Sequence, residues 1–292
     1  MRNTNSMRLV GWVLVISVAL ATQTSCAVGD EVATEHVPIF PEATRGGFVI
    51  RLITVEPDQD GAFFKDVREC SLPVWKELKE AGIVSTVSLF ELSEMETTSP
   101  VSPPWRYLMI AGLGPDSSAE DFTVAEQASS RPAESDGPAH TVLREEHMVC
   151  TPNSCFGMPE PTYPDAPSGI DYLIEFIGVE NTPASLTQYH DLMSSYFGPA
   201  NGLLVEREML HCFVALEVTE TEIEDPGVVP WNQVHVSDHW DEGGDVDWEV
   251  VYRDLFREAF SRELEDVWKE IPPTRESSTE YRARLVPDLC VR

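Results

Sequence analysis

Basic residues are scarce in this chain of 292 residues. It has 20 Lys and Arg against 50 Asp and Glu, which gives a formal net charge of −30. A surface with this balance repels nucleic acid and anionic membranes, so we expect no nucleic-acid partner. Two explanations of the charge stay open at this point: attraction to cations or basic partners, and a solvated acidic surface.

The apolar run near the N-terminus is too short to span a bilayer comfortably. It extends over 13 residues, from Leu9 to Ala21, and follows Arg2 and Arg8 in a segment without acidic residues. This pattern is typical of a signal peptide. We therefore predict that residues 1–27 are a signal peptide and that the protein is exported.

Two processing routes fit the end of that segment. Cleavage after Ala27 would release a periplasmic protein, whereas lipidation of Cys26 would produce a membrane-anchored lipoprotein. The sequence before Cys26 resembles a lipobox, except that Gln23 stands where the motif has an apolar residue. Membrane contact is expected only through such a lipid anchor.

Cysteines are few, and an odd number of them follows Cys26. Since five cannot all pair within one chain, at least one is free or pairs between chains. Cys150 and Cys155 are the best disulfide candidate, because they are close in sequence and lie in what we predict to be a polar loop with a proline. With His147 they form no recognised zinc spacing, and we predict no metal site.

Several catalytic motifs are also missing. The sequence has no Gly-rich phosphate loop, nucleophile elbow, H-E-x-x-H or Cys-x-x-Cys-His haem-attachment motif. Enzyme classes that depend on these motifs are therefore not indicated.

An internal repeat organises most of the chain. The segment 85–122 aligns without gaps with 211–248, and 48–56 aligns with 172–180. Identical pairs include two Pro-Trp steps, Pro104-Trp105 and Pro230-Trp231. Matching segments in matching order indicate a tandem duplication.

Each copy has the pattern of a β-α-β-β-α unit. Apolar alternation predicts the strands, and apolar residues at helical spacing predict the helices, the first of which Pro73 kinks or restarts. The predicted boundaries are a first repeat at 45–128, a Pro/Ser-rich linker at 129–168, a second repeat at 169–271 and a C-terminal tail at 272–292. A single helical turn is expected in the linker near Leu143 to Met148.

This order of elements resembles the ferredoxin-like fold and, more specifically, the dimeric α/β-barrel superfamily. That superfamily includes EthD-like proteins, antibiotic-biosynthesis-type monooxygenases and stress-responsive barrel proteins. The resemblance covers nearly all of residues 45–271 and rests on element order and duplication. It implies an α+β protein whose two ferredoxin-like repeats form a pseudo-dimeric α/β barrel within one chain, and hence a monomer.

Strand parity indicates where a site could lie. In the third strand of each copy, Leu108, Ile110, Val234 and Val236 share one face, which we predict to be the helix-facing one. The other face, and charges within apolar strands, would then line a cavity. The catalytic candidates are His235 and Glu217, and the cavity candidates are Arg51, Glu91, Tyr107, Glu175, His190, Trp231 and Gln233.

Three functions are compatible with this arrangement. The first is a cell-envelope protein that binds a small organic ligand or acts as a scaffold, with no cofactor. The second is a cofactor-independent monooxygenase or isomerase that uses His235 and an acidic partner. The third, which the resemblance implies because some relatives bind haem, is a haem-binding barrel with His190 or His235 as the axial ligand. The histidines are absent from the first copy, so a site is expected in the second.

Overall fold

A computed structural model describes residues 47–94, 105–129, 140–157, 171–224, 231–238, 246–270 and 275–291. The predicted signal peptide, with Cys26, lies outside these ranges. Among the described residues, no helix has the length and apolar character needed to cross a membrane.

The two repeats contain the same sequence of elements. The first consists of β1 (Phe48–Val55), α1 (Asp60–Asp66), α2 (Leu72–Glu80), β2 (Val84–Glu94), β3 (Tyr107–Leu113), α3 (Ala119–Ser129) and β4 (His140–Phe156). The second consists of β5 (Asp171–Val179), α4 (Pro183–Leu192), α5 (Gly198–Glu206), β6 (Phe213–Glu224), β7 (Gln233–Ser237), α6 (Trp248–Phe260), α7 (Leu264–Trp268) and β8 (Arg275–Leu285).

The eight strands close into one antiparallel barrel in the order β1-β3-β2-β8-β5-β7-β6-β4. Each repeat supplies four strands, and the halves join where β4 pairs with β6 and where β2 pairs with β8. The element order and the closed sheet confirm the predicted α+β class and the intrachain pseudo-dimeric barrel of ferredoxin-like repeats.

Two strands were missed by the sequence prediction. The interval 129–168, predicted as a linker with a helical turn, contains β4, and the predicted tail at 272–292 contains β8. Strand prediction depends on apolar residues at every second position. In β4 two of the positions that face the barrel interior are Arg144 and Glu146, and β8 is mostly polar, so neither strand has that signal. Each repeat is therefore β-α-β-β-α-β.

A matching π-helical turn interrupts the first helix of each repeat. The turns, Val67–Ser71 and Met193–Phe197, lie directly before α2 and α5, whose first turns contain Pro73 and Pro199. Proline has no N–H and clashes with the carbonyl four residues earlier. The residue before each proline instead donates its N–H five positions back, so the wider turn lets the helix continue.

The two faces of the sheet are the reverse of the prediction. Leu108, Ile110, Val234 and Val236 lie in the barrel interior, in a cluster to which both repeats contribute. Tyr107 and Met109 instead pack beneath the helices of the first repeat. The prediction assigned the more apolar face to the helices. In this closed barrel the space between the two half-sheets excludes water most completely, so the more apolar face lines that space.

Candidate functional site

The helix-facing side of the second repeat brings a histidine and a carboxylate together. His190 lies on α4 and Glu217 on β6, and His190 Nε2 is 2.5 Å from Glu217 Oε2. The side chain of His190 is 32% exposed and that of Glu217 is 19% exposed. The other ring nitrogen, Nδ1, has no hydrogen-bond partner among the residues that the structure describes.

A second polar chain crosses the neighbouring strands. Tyr189 Oη lies 2.7 Å from His235 Nε2, and His235 Nδ1 lies 3.4 Å from Glu175 Oε2. Ser278 on β8 donates to the other oxygen of Glu175 at 2.6 Å. The chain thus runs from α4 through β7 and β5 to β8, and both nitrogens of His235 meet a polar group.

Burial sets the protonation of this chain. It lowers the pKa of His235 to about 4, although Glu175 lies beside the ring, so the imidazole is neutral at pH 7. Burial, together with the charge of Glu217, raises the pKa of Tyr189 above its ordinary value. Tyr189 is therefore protonated and donates its O–H to His235 Nε2, which leaves the Nδ1–H directed at Glu175.

Gln233 adds an incompletely bonded amide to the same face. It stands opposite Glu217 in the β6–β7 ladder and is fully buried. Thr151 on β4 donates to its Oε1 at 3.2 Å, while its Nε2 has no hydrogen-bond partner within the described ranges. A buried donor without an acceptor is unfavourable by about 1–3 kcal/mol, so such a group often marks a place for a ligand or a water molecule.

The equivalent positions of the first repeat are occupied mainly by aromatic side chains. The counterparts of Tyr189, His190, Gln233 and His235, 126 positions earlier, are Phe63, Phe64, Tyr107 and Met109. Phe63 and Phe64 pack against Tyr107 with ring centroids 4.5 Å and 5.4 Å apart, and Tyr107 donates to Asp60. This face of the first repeat is an aromatic core, which supports the expectation that any site belongs to the second repeat.

The remaining predicted residues lie elsewhere. Arg51 forms ion pairs with Glu126 and Glu145 at 2.7 Å and 2.6 Å beneath the helices of the first repeat. Glu91 lies 3.4 Å from Arg106 on the same repeat. Trp231 lies inside the barrel, where the guanidinium of Arg144 stacks on its ring. The structure therefore gathers His190, Glu217, Glu175, His235 and Gln233 in the second repeat and separates the rest from them.

Sequence reasoning missed Tyr189, Thr151 and Ser278. Tyr189 lies on the buried face of α4, as an apolar residue would, and only its hydroxyl takes part in the polar chain. Thr151 and Ser278 belong to β4 and β8, the strands that were not predicted. Repeat alignment gave the only available signal, because Tyr189 replaces a phenylalanine of the first copy.

Cys150 and Cys155 form a disulfide in the structure. The bond spans a register shift in the β4–β6 ladder, where residues 151–154 leave the strand pairing. Asn153 in this bulge donates to Ser194 O in the π-turn before α5, at 3.1 Å. The disulfide thus closes the bulge that carries Thr151, and the Asn153 hydrogen bond docks the helical segment of the site on the sheet.

Comparison with known proteins gives structural likeness without sequence relatives. No family model matches the chain, and no curated protein matches it. An anthrone oxidase-like protein is similar at 12% identity over 82% of this chain and 92% of its own, with a TM-score of 0.46. A heme-binding protein from Thermus thermophilus is similar at 13% identity over 87% and 96%, with a TM-score of 0.45.

A mutant chlorite dismutase from Candidatus Nitrospira defluvii, in complex with cyanide, is similar at 12% identity. The match covers 83% of this chain and 91% of that chain, with a TM-score of 0.43.

Proposed function

We propose that the protein is a small-ligand-binding barrel that would take haem on the helix-facing side of the second repeat, with His190 as the residue that would hold its iron. The observation that carries this proposal is the His190–Glu217 pair. One imidazole nitrogen is held by a carboxylate and the other is not engaged by the described residues. Histidines that ligate a metal nearly always have their second nitrogen fixed in this way.

Polar and apolar groups lie beside the pair. When bound, haem supplies a redox-active iron. Glu217 would accept a hydrogen bond from His190 Nε2–H and so orient the ring. Gln233 Nε2, beside Glu217, is a buried donor without a partner among the described residues. Val149, which stands opposite Glu217 in the β4–β6 ladder and is 43% exposed, offers apolar surface at the edge of the site.

His235 is less suited to either chemical role. Its nitrogens meet Tyr189 and Glu175, so neither is free to ligate iron or to take a proton from a substrate. A cofactor-independent oxygenase or isomerase needs a base that reaches its substrate. This arrangement supports haem binding at His190 rather than this alternative, and we propose that His235 supports Tyr189, the neighbour of His190.

Haem titration followed by absorbance tests the proposal. We expect the wild-type protein to shift and sharpen the Soret band with a saturable, one-to-one end point. His190→Ala should abolish this change, whereas His235→Ala and His140→Ala should retain it. Glu217→Gln should weaken binding roughly 10- to 100-fold.

Either of two outcomes would reject the assignment. A wild-type protein with no Soret response would end the haem proposal. A His190→Ala protein that titrates like the wild type would show that another residue holds the iron. A scaffold without a ligand predicts the first of these outcomes.

We also propose that the protein works outside the cytoplasm, in the periplasm or anchored through a lipid on Cys26. The Cys150–Cys155 disulfide supports this, because such bonds persist mainly in oxidising compartments. Intact mass of the mature protein distinguishes the routes. A chain that begins after Ala27 indicates cleavage, a chain that begins at a diacylated Cys26 indicates a lipoprotein, and a full-length chain would contradict export by either route.

A further inference from the structure

A second cluster of potential ligands lies at the seam where β4 of the first repeat pairs with β6 of the second. His147 and Glu220 stand opposite each other in this ladder. His147 Nδ1 is 3.4 Å from Glu220 Oε2 and 4.0 Å from Glu222 Oε1. One ligand atom from each of the three residues falls within 4.8 Å of the others. The cluster is separate from the His190–Glu217 pair and shares no residue with it.

The other seam of the barrel provides an internal comparison. There β2 pairs with β8, and Glu94, the repeat counterpart of Glu220, stands opposite Arg282. Arg282 and His147 are themselves equivalent, since they pair with the matching residues Leu173 on β5 and Val49 on β1. A permanently charged guanidinium at one seam is thus replaced by an imidazole at the other.

That replacement changes both the charge and the chemistry of the seam. Arginine is always protonated and cannot bind a metal, whereas neutral imidazole is the commonest metal ligand in proteins. Glu220 and Glu222 are 65% and 47% exposed and lie beside a histidine that is only 12% exposed. A divalent cation would supply the positive charge that Arg282 provides at the equivalent position.

The distances suit a small transition metal. Ligands bound at about 2.0–2.1 Å in a tetrahedron are about 3.3–3.4 Å from one another. The separation of His147 Nδ1 from Glu220 Oε2 already has this value, and the Glu222 carboxylate is exposed enough to move closer by rotating its side chain. Calcium and magnesium prefer all-oxygen sites, so the imidazole selects against them.

We propose that His147, Glu220 and Glu222 form a binding site for a divalent transition-metal cation of the Zn²⁺ type, which ties the two repeats together at the β4–β6 seam. Water completes the coordination on the exposed side. His147 Nε2 is buried and has no hydrogen-bond partner in the described part of the chain, so no carboxylate there fixes the ring from behind. Since such support strengthens metal binding about 10- to 100-fold, we expect micromolar rather than nanomolar affinity.

The test uses the full mature chain, stripped of metal with a chelator, and ZnCl₂ as the probe. Isothermal titration should give one site per chain with a micromolar Kd, and calcium or magnesium in roughly tenfold excess should not compete. At a free zinc concentration of about 100 times Kd, the melting temperature should rise by roughly 5–10 °C. His147→Ala should abolish both responses.

Matched variants keep the result interpretable. His140→Ala removes another histidine of β4, which faces Asp66 at 3.8 Å, and should leave zinc binding unchanged. Glu220→Gln combined with Glu222→Gln should lower affinity at least roughly tenfold, while the far-UV circular dichroism of the metal-free protein stays the same. His190→Ala should also bind zinc normally, so failure of the haem proposal leaves this one intact.

Two results would overturn the proposal. One is the absence of a zinc response in the wild-type protein, which would identify the cluster as a histidine–glutamate ion pair. The other is an unchanged zinc affinity in a folded His147→Ala protein, which would place any bound metal elsewhere.

Discussion

His235 links the stability of the protein to pH through a single buried ring. Burial lowers its pKa to about 4 in the folded state, whereas an unfolded histidine titrates near 6.5. Between these values the unfolded chain binds more protons than the folded one, so acid favours unfolding. The stability that His235 contributes is complete above about pH 6.5 and is lost as the pH falls towards 4.

His235→Met, which installs the residue of the first repeat, should remove this dependence. The difference in unfolding free energy between wild type and variant should change by about 3 kcal/mol between about pH 6.5 and 4, with the wild type losing more. Urea unfolding at several pH values measures it. Comparison of the two proteins cancels the titrating groups other than His235 and its neighbour Glu175. Parallel pH profiles would contradict a depressed pKa for His235.

Several residues of the candidate site could be predicted from the sequence, but the face of the sheet on which they lie could not. In the aligned repeats, His235 and Gln233 stand where the first copy has Met109 and Tyr107. Strand alternation predicts that His235 and Gln233 lie on the same face. That face was predicted to line the barrel interior, because alternation along a strand does not show which side of a closed sheet excludes water more completely. Tyr189 looked like a core residue, since only the position of its hydroxyl distinguishes it from phenylalanine.

The bulge of β4 and the start of α5 fit together closely at the scale of elements. The Cα of Gly198 approaches the bulge so nearly that an added Cβ would lie 2.0 Å from Asn153 O and 2.6 Å from Ser154 Oγ. Only glycine permits this approach, which brings the π-turn onto the strand. The disulfide between Cys150 and Cys155 closes the same bulge.

Gly198→Ala should therefore destabilise the protein by about 1–3 kcal/mol, because a backbone carbonyl must move to admit the methyl group. Gly61 in α1 is the matched control, since a Cβ there would meet nothing within 4 Å. Gly61→Ala should be neutral or stabilise by up to about 1 kcal/mol. Chemical denaturation checks both, and equal effects of the two substitutions would contradict the close contact.

Elements with a strong periodic pattern were predictable, and elements without one were not. The repeat segment 48–56 contains β1, and the helix with Pro73 is interrupted just before that proline, because apolar spacing and proline act locally. β4 and β8 are strands through their pairing with both neighbours. Arg144 and Glu146 lie inside the barrel, where they bond to each other, and a sequence pattern cannot express such a pair.

For the molecule as a whole, we expect the closure of the barrel to depend on its two seams rather than on covalent connection of the repeats. The β4–β6 and β2–β8 ladders join the halves on opposite sides, and the interior cluster contains residues from both. Since both half-sheets come from one chain, we expect a monomer, which size-exclusion chromatography with light scattering would show.

A protease site placed between Gly157 and Asp171 tests this dependence. After cleavage the two fragments should remain together in size-exclusion chromatography and keep a single cooperative unfolding transition, because each half buries the other's edges and interior. Each fragment produced alone should aggregate or form dimers. Separation of the cleaved fragments under native conditions would show that covalent connection between residues 157 and 171, not pairing at the seams, holds the barrel closed.

Covalent fusion of the two halves also bears on how such a protein can change over time. In a symmetric homodimer each substitution occurs at both equivalent positions, so a histidine gained on one side is imposed on the other. Here Tyr189 and Phe63, or His147 and Arg282, have been free to diverge. One half can keep the hydrophobic packing that maintains the barrel, while the other takes on costly buried polar groups that would be twice as costly in a true dimer.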